Sequence, residues 1–413
     1  MPAAASPSRS LPVIALCLVA AVSLAPLLLE PLPVTFVAPW HDPAAAWASK
    51  LLVLLLMVLA LVARAVFAAP RERGAVAVVV GLALVAAILA FCHEILVDAK
   101  HYWPLRSPQD YFNWHIQRTL YLSILNCGLG GLDIPHAFRP LPYGFTRALE
   151  LVTGDWLFAC RAYRWFFTFW FLDGYYRFVR LFHPRPQALL ALSAYVVLYP
   201  VSIYGYSGQL TDPMSHVSFA FAYLYVVQNR WALLAGVLAL GTLAKETVVA
   251  VIPAYAAAYW RGGRRTLAVT SLLTLAFAAA YLGARLPYGW RPGNRWMNGV
   301  GDLMFWSNLG FYNAQGLTSI SPATGAWHLF FFVIVFLPFV ALHWRRTDHR
   351  LKSLFLVVTP LILGSSVCYS WLYESRNLVP LLPLLTTMAL PPQAPKPLND
   401  PPPASSMETM ASK

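Results

Sequence analysis

The chain has 413 residues, of which 59% are hydrophobic and only 11% charged, and its mean hydropathy is +0.58. Soluble domains carry about 25% charged residues, so the composition excludes an ordinary water-soluble globule and marks a polytopic membrane protein. The formal net charge is +13, yet the basic residues are scattered among apolar runs, which argues against nucleic acid and for membrane lipids and phosphate-bearing substrates.

In chain order, apolar windows long enough to cross a bilayer fall near 11–30, 47–68, 75–97, 156–179, 187–206, 325–343 and 351–370. Shorter or interrupted windows fall near 214–228, 231–244, 247–260, 266–285 and 377–391. The expected fold is therefore all-α, a transmembrane bundle of about twelve spans. The first window lacks a small-residue cleavage site and reads as a retained span. Tight basic loops fix the sidedness: Arg64/Arg71/Arg73, Arg177/Arg180/Arg185, Arg230, Arg261/Arg264/Arg265 and Arg345/Arg346/Arg350/Lys352. With these and both termini in the cytoplasm, segments 98–155, 205–213, 286–324 and 371–376 lie on the outer face, as does the turn at Lys245–Glu246. Residues 1–391 read as one transmembrane domain, with two extra spans in 1–74, a catalytic outer loop at 98–155 and a second outer loop at 286–324. The Pro-rich, polar stretch 392–413 reads as a disordered cytoplasmic tail.

The outer segments hold the chemistry. A loop the length of 98–155 is functional or disordered rather than a plain connector. Apolar and aromatic residues recur at helical spacing from Tyr111 to Leu125 after Ser107-Pro108, which predicts an amphipathic surface helix carrying Asp110, His115 and Arg118. A second stretch, "HAFRPLPYGFTRAL", brings Arg139 and Arg147. Asp212 and His216 follow in "LTDPMSH", Lys245 and Glu246 in "LAKET", and Glu374 and Arg376 in "YESRNLVPLLP". The adjacent Lys245 and Glu246 fit either a salt-bridged interfacial turn or half of an anion site. Asp110 fits a first-turn acid as well as a base, and Arg118, Arg139 and Arg147 fit lipid anchors as well as substrate contacts. The histidines read as hydrogen-bonded rather than as ligands. Five dispersed cysteines without CxxC read as small apolar residues, and nothing points to a cofactor or metal.

Taken in order, Asp110–Tyr111, "RPL", "LTDP", "LAKET" and "YESRNLVPLLP" resemble the multi-spanning GT-C glycosyltransferases that use polyprenyl-phosphate sugars. That group includes the dolichyl-phosphate-mannose mannosyltransferases and the bacterial aminoarabinose transferases. The resemblance covers roughly residues 75–391. It departs from the pattern in its two extra spans and in the lack of a second acid beside Asp110.

The resemblance implies transfer of a sugar, with inversion, from a polyprenyl-phosphate donor to a hydroxyl on a lipid, glycan or protein acceptor at the outer face. It places the base on Asp110 and the donor phosphate on Lys245, Arg376 and Arg139. Tyr111, Arg118, Asp212, Glu246 and Glu374 then support the site or hold the acceptor, with Glu246 and Glu374 holding the cations. The cell inner membrane is the expected location, or the endoplasmic reticulum in a eukaryote. The competing expectation is a secondary transporter or a flippase of lipid-linked saccharides, although no similarity joins residues 1–200 to 201–391.

Overall fold

The structure, a computed structural model, describes residues 43–69, 72–83, 85–86, 138–202, 210–286, 335–369 and 375–391. Asp110, Tyr111, Arg118, His115 and Glu374 lie outside these residues, as do the window 11–30 and the tail 392–413. The described residues are helical, and no strand occurs among them.

All of the helices but Pro140–Thr153, which lies within the expected outer loop 98–155, follow the apolar windows. The helices are α1 (Pro43–Val66), α2 (Arg73–Ala83), α3 (Pro140–Thr153), α4 (Trp156–Val179), α5 (Arg185–Ser202), α6 (Thr211–Val227) and α7 (Trp231–Ala244). After a short 3-10 segment at Glu246–Ala250 come α8 (Val251–Tyr259), α9 (Arg264–Gly283), α10 (Leu337–His343) and α11 (His349–Tyr369). A 3-10 segment at Ser375–Leu381 leads into α12 (Leu382–Ala389). One described helix, α9, is long and apolar enough to cross a membrane, and α2 and α7 are shorter apolar helices. At about 1.5 Å per residue the 14 residues of α7 reach about 21 Å, short of a hydrocarbon core of roughly 30 Å.

Local signals set the breaks. Asp155 caps α4 by accepting from the Phe158 N–H at 2.9 Å, and Lys50 holds the same carboxylate at 2.7 Å. Gly154, at φ 71°, ends α3 in the left-handed region that suits glycine. Helix α6 ends at Asn229, the one described non-glycine residue with positive φ (54°), where Arg230 N–H returns to the Tyr225 carbonyl at 3.0 Å. Gly241 allows α7 to lie against α6, because a Cβ there would meet Ser218 Cβ at 2.9 Å.

Helix α4 is central, packing on α3 and α6, while α7 packs on α6 and α9 and α8 on α11. Its Phe169, Phe171, Leu172, Tyr175 and Phe178 are buried in the main core. Outer helices instead expose apolar stripes: Leu51, Leu52, Leu55, Leu56 and Leu59 on α1 are each about half exposed, and only 11% of the apolar stretch of α9 is buried.

The ion pairs define two ends. Lys50–Asp155 joins α1 and α4 at one end, and Arg64–Asp173, bidentate at 2.8 and 3.2 Å, joins them at the other, so these helices run parallel. The Arg64 end also holds Tyr176–Glu72 (2.7 Å), Arg180–Glu72 (3.4 Å) and Arg350 on the Val227 carbonyl (2.8 Å). Every described basic connector therefore falls at one end, and Arg139, Asp212, Lys245, Glu246 and Arg376 fall at the other.

The two ends of α9 test the expected sidedness. In a background freed of native cysteines, Leu286→Cys is expected to react with an impermeant thiol reagent from outside, and Arg264→Cys only after permeabilisation. Both positions are exposed, so accessibility alone decides the result. Labelling in the reverse sense inverts the topology.

Candidate functional site

Four segments far apart in sequence meet at the end away from the basic connectors. Arg139 enters just before α3, where Pro140 and Pro142 start the helix. Asp212 sits in the first turn of α6, an acid favoured near a helix N-terminus. Lys245 and Glu246 occupy the break after α7, and Arg376 and Asn377 lie in the 3-10 segment before α12.

The pairing differs from a Lys245–Glu246 salt bridge. Lys245 Nζ donates to Asp212 Oδ1 at 3.1 Å and to Asn377 Oδ1 at 2.8 Å. Arg139 grips Glu246 with two hydrogen bonds, at 2.7 and 3.0 Å. The reason is conformational: Lys245 is extended (φ −164°, ψ 119°), and in extended backbone successive side chains point to opposite sides. Adjacent opposite charges are thereby sent to different partners.

Asp212 has two cations, since Arg376 Nη1 also reaches its Oδ2 at 3.3 Å. Of the two glutamates expected to hold the cations, Glu374 lies outside the described residues. Glu246 holds Arg139, whereas Lys245 and Arg376 share Asp212, which becomes the centre of the cluster. Behind it, His216 Nε2 lies 3.3 Å from the Arg376 carbonyl, and the Tyr163 hydroxyl donates to the Leu210 carbonyl. His216 is thus a buried histidine hydrogen-bonded to the backbone. Arg147 pairs with Glu150 on its own helix and stays out of the cluster.

Burial sharpens the electrostatics. The side chains of Arg376 and Asp212 are 2% and 4% exposed, and those of Arg139 and Lys245 12% and 13%. Burial alone pushes the Asp212 carboxyl up, but Lys245 and Arg376 outweigh it and hold it well below the ordinary carboxylate range. Glu246 is likewise raised by burial and lowered further by Arg139, to about 2. Burial pulls the Lys245 ammonium below its usual value in spite of Asp212. Among the described residues, three cations thus face two ionised carboxylates. Lys245 commits two of its three N–H groups, leaving one for a ligand.

Two residues of this region escaped the sequence reading. Asn377 is signalled only by standing next to Arg376. Arg285, two residues past α9, places its guanidinium 4.3 Å from the centre of the Phe138 ring and 3.4 Å from that of Tyr281, and its charge is felt by Glu246. Among the described residues no group of three or more His, Cys, Asp or Glu is disposed to hold a metal, and no disulfide joins Cys160 or Cys368. No family model, curated protein or solved structure matches this chain.

Proposed function

We propose that the protein is an integral-membrane glycosyltransferase of the GT-C kind. In this reading it moves a sugar from a polyprenyl-phosphate donor to an acceptor hydroxyl at the outer face. The observation that carries the reading is the cluster of Arg139, Lys245 and Arg376 around Asp212 and Glu246, with Asp212 and Arg376 buried, the other three half-buried, and an N–H of Lys245 uncommitted. A charge at membrane depth is costly unless paired or functional, and an open N–H on a clustered ammonium is an electrostatic invitation to an anion. The exposed leucines of α1 and the barely covered α9 support a lipid surround and the polytopic bundle of about twelve spans.

The chemistry divides among residues as follows. The acceptor oxygen attacks the anomeric carbon as the bond from that carbon to the phosphate oxygen breaks. The hydroxyl proton passes to a carboxylate, the role the resemblance gives to Asp110, with Tyr111 and Arg118 beside it. The polyprenyl phosphate leaves as an anion and needs cations rather than a proton. Lys245 is the contact cation. Arg376, nearly inaccessible, holds Asp212 and adds its field, and Arg139, held by Glu246, is the third cation. Glu374 belongs to the same segment as Arg376 and completes the supporting acids.

Purified protein given a polyprenyl-phosphate sugar labelled in the sugar is expected to release or transfer label in a time-dependent way. Protein-dependent movement of intact donor across a vesicle bilayer, with no label released, would instead mark a flippase.

A further inference from the structure

The opposite end of the molecule holds a cavity of about 590 Å³, which the chemistry above does not use. It opens where α6, α8, α9 and α11 meet, and its wall includes Asn229, Tyr255, Arg261, Arg265 and His349. We infer that this cavity binds the phosphate of an anionic phospholipid head group.

Its volume lies in the range of small-ligand sites, about 300–1,000 Å³. Its charge is one-signed. Among the described residues neither Arg261 nor Arg265 has a carboxylate within ion-pair reach, and the nearby Asp348 is taken by Arg350 at 3.0 Å. The donors are also prepared. Tyr255 donates to Asn229 Oδ1 at 2.9 Å, which fixes the carboxamide and leaves its NH₂ as a further donor in the wall. Asn229 stands there because it ends α6 in the left-handed region, which asparagine tolerates. Thr266 is different: its hydroxyl is spent on the Tyr259 carbonyl, so it lines the cavity without serving it.

The surroundings choose the source of the phosphate. Trp260, 70% exposed, stands beside Arg261, whose guanidinium lies 5.9 Å from its ring centre. Leu267, 69% exposed, lies a few residues along α9. An exposed indole next to arginines and then leucines is the profile of a head-group boundary, where a phosphate sits in the basic cavity and acyl chains run along the apolar helix. A free phosphate would use the arginines and leave Trp260 and Leu267 unexplained.

The test uses full-length protein in detergent, given equal amounts of phosphatidylglycerol and phosphatidylcholine, with retained lipid read by native mass spectrometry. Phosphatidylglycerol is expected to be retained about tenfold or more over phosphatidylcholine, and millimolar inorganic phosphate is expected not to displace it. Arg261→Gln with Arg265→Gln is expected to erase the preference. Arg345→Gln with Arg346→Gln removes the same charge outside the cavity and is expected to keep it. Asn229→Asp tolerates the same backbone and places a carboxylate in the cavity, so it serves as a second variant if the arginine pair folds poorly. The inference is overturned if the cavity variants keep the preference, if both arginine pairs lose it equally, or if inorganic phosphate competes on equal terms. The site is remote from Asp212, so sugar transfer and lipid retention can fail separately.

Discussion

Asp212→Asn is expected to be among the most destabilising single changes at the end of the molecule away from the basic connectors, costing about 3–5 kcal/mol in unfolding measured in mixed detergent micelles. The substitution preserves shape and keeps one carbonyl oxygen, so any packing loss is small. What it removes is the negative charge shared by Lys245 at 3.1 Å and Arg376 at 3.3 Å. Both cations then lose the carboxylate they share, and Arg376, at 2% exposure, cannot turn to water. The effect therefore belongs to the cations left behind rather than to the lost hydrogen bonds. A charge-removing partner change checks this. Lys245→Met together with Asp212→Asn is expected to be more stable than Asp212→Asn alone, because one stranded cation is gone. If the double variant is the less stable, uncompensated charge is not the cause.

The helices were legible in the sequence because the apolar windows carry them. The window at 231–244 coincides with α7, and 156–179, 214–228 and 351–370 match α4, α6 and α11 to within a few residues. The short reach of α7 was also visible, since its apolar run stops at Lys245. The convergence of "RPL", "LTDP", "LAKET" and "SRN" was legible through the alternation of basic and non-basic connectors, which places all four at one end. Who pairs with whom was not. That depends on the extended conformation of one residue, Lys245, and on the register by which α6 presents Asp212 between two other segments. No local pattern encodes either. Asn377 was missed for a related reason: an amide next to an arginine carries no signal until a lysine 132 positions away is placed 2.8 Å from it. Arg285 was likewise one basic residue among many until Phe138 and Tyr281 framed it.

Lys245→Met is the change expected to separate function from fold. Asp212 keeps Arg376 as its partner, Glu246 keeps Arg139, and the methionine fills the volume of the lysine stem, so folded protein should remain in the membrane. Donor use should nevertheless fall. A hydrogen bond to a charged group contributes about 1.5–3 kcal/mol, which corresponds to a loss of roughly tenfold to a hundredfold in kcat/KM for the polyprenyl-phosphate sugar. Lys245→Arg should recover part of it, because guanidinium also donates to phosphate but no longer fits between Asp212 and Asn377. Arg376→Met behaves differently. It removes one of the two cations that grip Asp212, so its main effect passes through the placement of Asp212. Combined with Lys245→Met, it should cost less than the product of the two separate losses, since both act on one carboxylate and one phosphate. If Lys245→Met transfers sugar at the normal rate with normal donor dependence, the cluster is a structural ion network and the donor phosphate binds elsewhere. If the variant instead disappears from the membrane while Lys245→Arg is silent in every assay, Lys245 is only the counter-ion of Asp212. A selective loss of donor use in a well-folded protein is the result that assigns the third N–H of Lys245 to the phosphate.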